Sequence, residues 1–416
     1  AKRYDTGVFV ATNLLETMVE KRKPTRAEVH DVISTIVDGA MGLTLSAETA
    51  VGKHPMECIN MLNKLIEHAE LTVNGYRLKR HENGFIKSLE ASDYLLDFNI
   101  SSSLIPPHGG KLVNRVPRRL PDEAALAAMP KIRLDVNKQM EVEQIAFGTY
   151  SPLEGFMGQA DFRAVLADMR LANGLVWPIP IVLDVSEAVA DGLTIGQPVG
   201  LTDDSGQVMA ILYLEEMYGF DGEETAVNLY TTTHNDHPGV RLVRQMNPIL
   251  LGGKIDLIKR RESATKAYEL TPKQLRRLFD ERGWARVLGF HTRNVIHRGH
   301  EYIQLRAMEE ENCDGLLVHP VIGQKKPGDF NPQYIIQSYE KMIERFYPRN
   351  KVVFATFSTY SRYAGPREAL FTALCRQNFG CSHFVVGRDH TVVQSLIERR
   401  QRQADIYDVA AHLLYG

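Results

Sequence analysis

Val287-Leu-Gly-Phe290 is a short apolar run that leads through His291-Thr-Arg-Asn-Val-Ile-His-Arg-Gly-His300 into Glu301-Tyr-Ile-Gln-Leu-Arg-Ala-Met-Glu-Glu310. The apolar run predicts a buried parallel strand. The strong helix formers that follow residue 300, with apolar residues at helical spacing, predict a helix. A strand that passes through a polar corner into a helix is the repeating element of α/β folds. The corner itself is the first candidate site.

The corner between this strand and helix carries several polar side chains. Arg293 and Asn294 lie at the strand exit, and His297 and His300 stand three residues apart at the helix start. This spacing places both imidazoles on one side of the helix. Because a helix N-terminus attracts negative charge, the corner favours the binding of phosphate or a similar anion.

The composition is that of a globular protein with several domains. The 416 residues predict roughly two or three domains, each able to bury its own core. Hydrophobic residues make up 44% of the chain, and the net charge of −2 gives no general attraction to nucleic acid or to a membrane surface. No apolar stretch approaches the ~20 residues of a membrane span. We therefore predict no nucleic-acid partner and no membrane partner.

The cysteines and the first residues bear on the compartment. Cys58, Cys313, Cys375 and Cys381 show no CxxC pair and no zinc spacing, which favours free thiols in a reducing cytosol. The first ten residues are too soon interrupted for a secretory signal. We predict a cytoplasmic protein. Because the chain starts at Ala1 rather than Met, we also expect it to be part of a longer sequence.

Residues 1–80 alternate strand and helix signals. Strands are expected at Val8-Phe-Val-Ala11 and Met41-Gly-Leu-Thr-Leu45, with a short helix from Leu14 to Val19 and a second helix opened by Pro24. This alternation predicts parallel strands with crossover helices. Residues 81–103 are polar and end in three serines, and we interpret them as a linker.

Residues 104–260 have a different texture, in which Gly and Pro separate short β-type runs. The runs are Pro178-Ile-Pro-Ile-Val-Leu183, Val208-Met-Ala-Ile-Leu-Tyr213 and Ala226-Val-Asn-Leu-Tyr230. They predict a β-rich, barrel-like domain with a few helices, such as one from Ala160 to Arg170.

Residues 261–416 return to alternating strands and helices. Besides the strand before His291, we expect strands at Gly315–His319, Val352–Ala355 and Phe384–Val386. Helices are expected at Gln333–Phe346 and Pro366–Asn378. This pattern predicts a doubly wound α/β domain, which binds its ligands at the carboxyl ends of the strands.

Four polar segments each follow a predicted strand of this domain, so all four are expected at one edge of the sheet. They are His291–His300, His319–Asp329, Ser361–Glu368 and Gly387–Thr391. The bases that they supply are Arg293, Lys325, Lys326, Arg362, Arg367, Arg388, His297, His300 and His390, with Asp389 as an acid among them. Converging guanidinium groups bind phosphate or sulfate oxygens in bidentate fashion. Their shared location predicts an anion site.

Simpler interpretations apply to single motifs. An isolated HxxH pair is common by chance, and no third ligand stands at zinc spacing, so a metal role for His297 and His300 is disfavoured. The histidines in Thr231-Thr-Thr-His-Asn-Asp-His-Pro-Gly239 are more typical of a loop with turn residues than of a metal site. The chain lacks the GxSxG and GxxxxGK[ST] signatures, which excludes a serine-hydrolase elbow and a P-loop kinase.

At these residues the chain resembles the ATP sulfurylase (sulfate adenylyltransferase) family, whose motif Gln-Thr-Arg-Asn-Pro-x-His-Arg-Ala-His specifies nine positions. Six of the nine match, at Thr292, Arg293, Asn294, His297, Arg298 and His300. The positions that differ are His291, Val295 and Gly299. Further signatures of the family lie at residues 107–115, 151–156, 169–174, 177–180, 362–370 and 387–390. The resemblance covers residues 104–400, most of the chain.

The resemblance implies a PUA-like domain at residues 104–260 and a doubly wound HxGH-type nucleotidyltransferase domain at residues 261–416. The implied reaction turns ATP and sulfate into adenylyl sulfate and pyrophosphate. It would proceed by in-line attack on the α-phosphate, with positioning and electrostatic stabilisation in place of a covalent nucleophile.

The resemblance also implies roles for particular residues. The implied catalytic residues are Thr292, Arg293, Asn294, His297 and His300, with the two histidines stabilising charge as pyrophosphate leaves. The implied nucleotide contacts are His291, Asn294, Gly387, Arg388, Asp389 and His390. The implied sulfate contacts are His291, Arg293, Arg367 and Thr391. We expect Mg²⁺ to arrive with ATP rather than at a dedicated protein site, and we expect a homo-oligomer.

Two departures from the family pattern keep other functions open. His291 stands where the family has a Gln that helps to hold sulfate. Thr391-Val-Val393 replaces Ala-Gly-Pro beside the same anion, and the loss of glycine removes a close backbone approach. One alternative is nucleotidyl transfer to another oxyanion, such as a phosphate ester or a phosphonate. A second is a non-catalytic nucleotide-binding or assembly module.

Residues 1–80 resemble the last part of the pyruvate kinase barrel. The likeness is carried by Ala11-Thr-Asn-Leu-Leu-Glu-Thr-Met18, Pro24-Thr-Arg-Ala-Glu28 and Leu45-Ser-Ala-Glu-Thr-Ala-Val-Gly-Lys-His-Pro55. It implies a partial β/α-barrel-like segment ahead of the other two domains. Two strands cannot close an eight-stranded barrel, so we predict no pyruvate kinase activity in this chain.

Overall fold

The computed structural model describes residues 8–11, 14–37, 40, 42–73, 104–117, 119–323, 330–348 and 350–387. The chain divides into two compact units, Ala1–Ser102 and Ser103–Gly416. The predicted linker at residues 81–103 lies outside the described residues. No helix in the described part of the chain is long and apolar enough to span a membrane.

The first unit contains two short parallel strands and the helices that accompany them. In chain order its elements are β1 (Phe9–Ala11), a 3-10 helix (Glu16–Val19), α1 (Arg26–Val37), β2 (Gly42–Thr44), α2 (Ala47–Ala50) and α3 (Pro55–Val73). The strands β1 and β2 pair in parallel, with Phe9 opposite Gly42, which confirms the predicted strand–helix alternation. Leu15, Met18 and Val32 are fully buried in a small core.

The β-rich region, residues 104–260, forms one mixed sheet with helices around it. Its elements are α4 (Glu123–Ala128), β3 (Lys131–Arg133), α5 (Val136–Ala146), β4 (Gly155–Phe156), α6 (Gln159–Asp168), β5 (Leu183–Val185), α7 (Glu187–Ala190), β6 (Pro198–Thr202), β7 (Val208–Gly219), α8 (Gly222–Tyr230), α9 (Pro238–Gln245) and β8 (Ile249–Leu257). The strand order is β3-β6-β7-β8-β4, and β5 also pairs with β8. The long antiparallel pair β7–β8 forms its centre.

Two of the predicted β-type runs in this region differ from the structure. Residues 226–230 form the second half of α8, because Asp221 caps that helix by accepting hydrogen bonds from the backbone N–H groups of Glu223 and Glu224. In the run from residue 178 to residue 183, only Leu183 belongs to a strand. Pro178 and Pro180 carry no N–H to donate to a strand ladder.

The α/β region, residues 261–416, is built on a parallel sheet. After a 3-10 helix (Lys266–Tyr268) its elements are α10 (Pro272–Glu281), β9 (Val287–Thr292), α11 (Arg298–Glu310), β10 (Gly315–Pro320), α12 (Pro332–Phe346), β11 (Val352–Phe354), α13 (Pro366–Asn378) and β12 (His383–Val385). The strand order is β11-β10-β9-β12, and every neighbouring pair is parallel. The predicted strands and helices of this region are thereby confirmed.

Both faces of this sheet are covered by helices. Leu288 and Phe290 of β9 belong to a core cluster that includes Ile335 and Tyr339 of α12. Val287, on the opposite face of the same strand, belongs to a cluster that includes much of α13. The predicted doubly wound α/β fold is confirmed, and the odd-numbered residues of β9 face α13.

The β-rich and α/β regions share one hydrophobic core. Trp177 is fully buried, and its ring meets Phe371 of α13 edge-on at 5.7 Å between centroids. Tyr150 lies 5.2 Å from the same phenylalanine ring. Because one core cluster includes residues from both regions, the β-rich region packs directly against the α/β region.

Candidate active site

The carboxyl ends of β9 and β10 lie side by side. His291 is paired with His319, and Thr292 is paired with Pro320. Because all the strands are parallel, the segments that follow β9, β10, β11 and β12 leave the sheet at one edge, as predicted. The polar corner after β9 lies between β10 and β12, near the middle of that edge.

A hydroxyl-capped turn shapes the start of this corner. Thr292 is buried, and its Oγ1 accepts a hydrogen bond at 3.2 Å from the backbone N–H of Asn294. The carbonyl oxygen of Thr292 accepts another from the N–H of Val321, which ties the corner to the end of β10. These two bonds hold the backbone on both sides of Arg293.

Arg293 is a half-buried cation at the centre of this turn. Among the residues that the structure describes, no hydrogen-bond acceptor and no carboxylate is paired with its guanidinium. The neighbouring Asn294 side chain is exposed. A fixed backbone therefore presents one unneutralised positive charge at the sheet edge, as an anion site needs.

His297 and His300 stack on each other at the start of α11. Their ring centroids are 3.8 Å apart with 25° between the planes, and His297 is the N-cap residue of the helix. Burial lowers the pKa of His300, and the neighbouring His297 lowers it further. The Nδ1 atom of His300 is buried and has no hydrogen-bond partner in the described chain. The predicted placement of the two imidazoles on one side of the helix is confirmed.

His291 ends the α13-facing row of β9. Its Nδ1 accepts a hydrogen bond at 2.9 Å from Nη2 of Arg376. Arg376 lies on α13 and is fully buried. The sequence had not indicated Arg376 as a site residue. The signal for it in the sequence is its position inside a largely apolar helix. Its neighbours Thr372 and Phe379, four residues before and three residues after it, are both buried in the structure.

Several predicted contacts lie outside the described residues. These are Arg388, Asp389, His390 and Thr391 after β12, together with Lys325 and Lys326 after β10. Gly387 is described, and it is exposed two residues beyond the end of β12.

Two arginines after β11 turn inward instead of toward the anion edge. Arg362 is buried, and its Nη2 donates to a carboxylate oxygen of Glu141 at 2.9 Å. Arg367 donates from Nη1 to the carbonyl oxygens of Val165 and Pro178, and from Nη2 to that of Leu166, at 2.9, 3.2 and 2.9 Å. These bonds disfavour the predicted sulfate contact at Arg367, because both terminal nitrogens already donate to main-chain carbonyls of the β-rich region.

The histidine-rich loop at residues 231–239 has a structural role, as predicted. His237 caps α9, with its Nδ1 accepting from the N–H of Gly239 at 3.1 Å, and its ring packs on Tyr230 at 4.7 Å. Among the described residues, no group of three or more His, Cys, Asp or Glu side chains is arranged to hold a metal ion. The four cysteines are buried free thiols.

Comparisons with protein-family models divide the chain into three parts. Residues 1–59 match the pyruvate kinase barrel domain, residues 105–260 a PUA-like domain, and residues 266–413 ATP-sulfurylase. The third match contains the polar corner after β9.

Two of the similar proteins are named sulfate adenylyltransferase. A sulfate adenylyltransferase of Symbiobacterium thermophilum is 45% identical over 294 residues, which are 70% of this chain and 74% of that protein. Another from Halothermothrix orenii is 46% identical over 295 residues, covering 70% of this chain and 76% of that protein. A solved structure, described as a hexameric APS kinase from Thiobacillus denitrificans, matches with a TM-score of 0.56 and 28% identity over 72% of this chain and 55% of that one.

Proposed function

The chain belongs to the sulfate adenylyltransferase (ATP-sulfurylase) family, and from that premise we propose that it transfers the adenylyl group of ATP to sulfate. A sulfate oxygen attacks the α-phosphorus, the bond from that phosphorus to the β-bridging oxygen breaks, and its electron pair leaves with pyrophosphate. The observation that carries this proposal is the corner after β9. There Arg293, which has no paired acceptor among the described residues, lies between a fixed turn and a stacked histidine pair at a helix N-terminus.

Arg293 would hold the attacking oxyanion. Within the part of the chain that the structure describes, no carboxylate neutralises its guanidinium, and sulfate accepts bidentate hydrogen bonds from such a group. Thr292 and Asn294 support this role, since the Thr292 hydroxyl fixes the turn through the Asn294 N–H. The exposed Asn294 amide would also contact the nucleotide.

His297 and His300 would stabilise the charge that develops on the phosphates. They occupy the first turn of α11, where the helix dipole already favours an anion. The lowered pKa of His300 keeps its ring neutral near pH 7, so this imidazole offers one N–H donor. Their contribution would be electrostatic.

We propose further contacts from His291 and from the segment that follows β12. Beside Arg293, His291 and Thr391 are proposed to contact sulfate. Gly387, Arg388, Asp389 and His390 are proposed to contact the nucleotide with His291 and Asn294. Arg367 is no longer part of this set. A divalent metal ion belongs to the nucleotide substrate of such an enzyme, and we propose Mg²⁺ bound to the ATP phosphates.

The assembly and location of the protein follow as proposals. One solved structure similar to this chain is described as hexameric, which supports a homo-oligomer. A cytoplasmic location remains a prediction, supported by four buried free thiols.

Sulfate-dependent release of pyrophosphate from ATP tests the function. We expect the wild-type chain to release pyrophosphate only when sulfate is added, and Arg293→Ala to lower kcat/KM for sulfate by about 100-fold or more. Arg306→Ala is the matched control, because Arg306 is half exposed and pairs with Glu309 and Glu310 on its own helix. A folded wild-type chain without sulfate-dependent release contradicts the proposal.

The same assay separates the acceptor classes. The two departures from the family pattern, His291 in place of Gln and Thr391-Val-Val393 in place of Ala-Gly-Pro, concern the acceptor side of the proposed site. Phosphate esters and phosphonates are therefore assayed beside sulfate. Turnover with one of them and not with sulfate assigns another oxyanion. Calorimetric binding of ATP and adenylyl sulfate without any turnover assigns a non-catalytic module.

A further inference from the structure

Arg376 is a buried cation that has no counter-charge among the residues described. It is fully buried on α13, and no carboxylate among the described residues pairs with it. Burial lowers its pKa to about 10, so it stays charged near neutral pH. Its Nε and Nη1 have no hydrogen-bond partner in the described chain. Burying an unpaired charge costs free energy, so this arginine lowers the stability of the folded protein.

The strand beside Arg376 makes room for it. A Cβ at Gly289 would lie 3.0 Å from Cγ of Arg376 and 3.2 Å from Sγ of Cys381. Glycine in a strand interior weakens the strand, and here it admits the arginine stem. The guanidinium carbon then lies 4.5 Å from the centroid of the Phe357 ring. The arginine is therefore held on two sides.

Arg376 donates its hydrogen bonds to residues near the carboxyl ends of β9 and β10, the sheet edge that carries the candidate site. Its Nη2 donates to Nδ1 of His291 at 2.9 Å and to the carbonyl oxygen of His319 at 3.0 Å. A guanidinium can only donate, so Nδ1 of His291 must carry a lone pair, and the single proton of the neutral ring is on Nε2. Protonation of Nδ1 would break this bond and bring two cations together.

We propose that Arg376 is a positioning residue, which holds His291 as the neutral Nε2–H tautomer so that the ring donates to the oxyanion that attacks ATP. The identity of the ligand, an oxyanion that attacks ATP, rests on the proposed function. The tautomer of His291 does not depend on that function. The positioning role adds to the site a buried arginine that touches neither substrate. It also explains how a histidine offers one N–H donor to an anion over a broad pH range.

Four described titratable groups lie beside Arg376 besides His291, and their pKa values lie away from neutrality. Burial raises the pKa of Cys375, Cys381 and Tyr150 to about 12 in each case. Burial, followed by the charge of Arg376, holds the pKa of His319 well below its usual range. A pH effect between pH 5.5 and 8 that appears on removing Arg376 therefore belongs to His291.

The kinetic test uses Arg376→Met and Arg376→Lys. Met fills the space of the arginine side chain without a hydrogen-bond donor or a charge. We expect this variant to fold, and its thermal unfolding curve checks that it does. Its KM for sulfate should rise about tenfold at pH 8, the loss of one charged hydrogen bond, while kcat changes less. KM should then fall as pH drops below about 6.5, where a released His291 gains a proton. Lys keeps the charge and the donor, and it should restore a KM that is independent of pH.

His291→Gln provides the control for this effect. An amide does not titrate, so the pH dependence of KM in Arg376→Met should vanish when His291→Gln is combined with it. If Arg376→Met leaves KM and its pH profile as in the wild type, or if the pH dependence persists in the double variant, the positioning role is wrong.

A measurement without substrate keeps the inference separate from the function. In protein with ¹⁵N-labelled histidine, the His291 signals are assigned by their loss in His291→Gln. We expect an unprotonated Nδ1 and a protonated Nε2 from pH 8 to 5.5 in the wild type, and a titrating ring in Arg376→Met. A proton on Nδ1 of the wild-type ring overturns the inference. Failure of sulfate turnover with the expected spectrum overturns only the proposed function.

Discussion

The Arg362 guanidinium donates a hydrogen bond at 2.9 Å to the carboxylate of Glu141, and both side chains are buried. Glu141 lies on α5 of the β-rich region, and Arg362 follows β11 of the α/β region. Tyr360 and Lys138 also donate to this carboxylate, at 2.7 and 3.0 Å. Burial alone would raise the pKa of Glu141, but Lys138 and Arg362 outweigh it and leave that pKa below its usual value. One region thus supplies the counter-charge for a sheet-edge loop of the other.

Glu141→Gln is expected to lower the free energy of unfolding by about 3–5 kcal/mol, because it leaves the Arg362 guanidinium buried without its counter-charge. Urea unfolding followed by circular dichroism measures the change. Asp204→Asn is the control, since Asp204 pairs with Arg133 at 2.7 Å on the surface, and it should cost under about 1 kcal/mol. Equal costs for the two variants would show that the buried pair adds nothing special.

Asn378→Asp is expected to destabilise the protein more at pH 8 than at pH 5. Asn378 is fully buried, and its Nδ2 donates to the carbonyl oxygens of Thr149 and Ser151 at 2.9 and 3.1 Å. An aspartate there would face two oxygens, so its pKa rises in the folded state. A raised folded pKa gives stability below the unfolded pKa that is lost as pH rises. Unfolding free energies at the two pH values decide it, and a larger cost at pH 5 contradicts the prediction.

Arg367→Ala should affect stability rather than sulfate binding. Its terminal nitrogens bond the carbonyl oxygens of Val165, Leu166 and Pro178, and losing these bonds should cost about 2–3 kcal/mol. KM for sulfate should stay within about twofold of the wild-type value. Unfolding curves and sulfate kinetics on the same preparation test both halves. A large rise in KM with unchanged stability would return Arg367 to the anion site.

His319→Leu is expected to reduce the loss of stability at acid pH. The buried His319 has a pKa held well below its usual value by burial and then by Arg376. Below about pH 6.5 the unfolded chain therefore binds a proton at this histidine, whereas the folded chain does not. The free energy of unfolding falls from there toward pH 5. Removing this imidazole should reduce the slope by up to about 1.4 kcal/mol per pH unit. Unchanged slopes in wild type and variant would show that other groups cause the acid sensitivity.

Much of the α/β region was predictable because its signals are local. Apolar runs bounded by polar corners predicted β9, β10, β11 and β12, and α13 was predicted with its observed bounds. The β-rich region was harder. Residues 226–230 are β-type by composition but helical by position, since the cap at Asp221 lies outside the run. Propensity describes a residue, whereas a cap or a ladder partner belongs to the surroundings.

The candidate site shows the same division. Sequence spacing indicated Arg293, His297 and His300, because all three lie in one strand-to-helix corner whose geometry is local. Sequence spacing also predicted that the arginines after β11 bind the anion, because it does not show in which direction a guanidinium points. The carbonyl oxygens that Arg367 meets are about 200 residues away in the chain, as its partner Val165 shows.

By itself, the sequence determined the parallel α/β fold, the sheet edge that carries the polar corner, and the family to which the corner belongs. Those features follow from periodicity and motif spacing, which act over a few neighbouring residues. Only the tertiary structure decided which cations are free and which are already paired. In the folded chain Arg362 forms an ion pair with Glu141, and Arg376 donates a hydrogen bond to His291. The missing side chain of Gly289 leaves room for Arg376. The physical reason is that charge pairing and burial depend on contacts between distant segments, which exist only after the chain has folded.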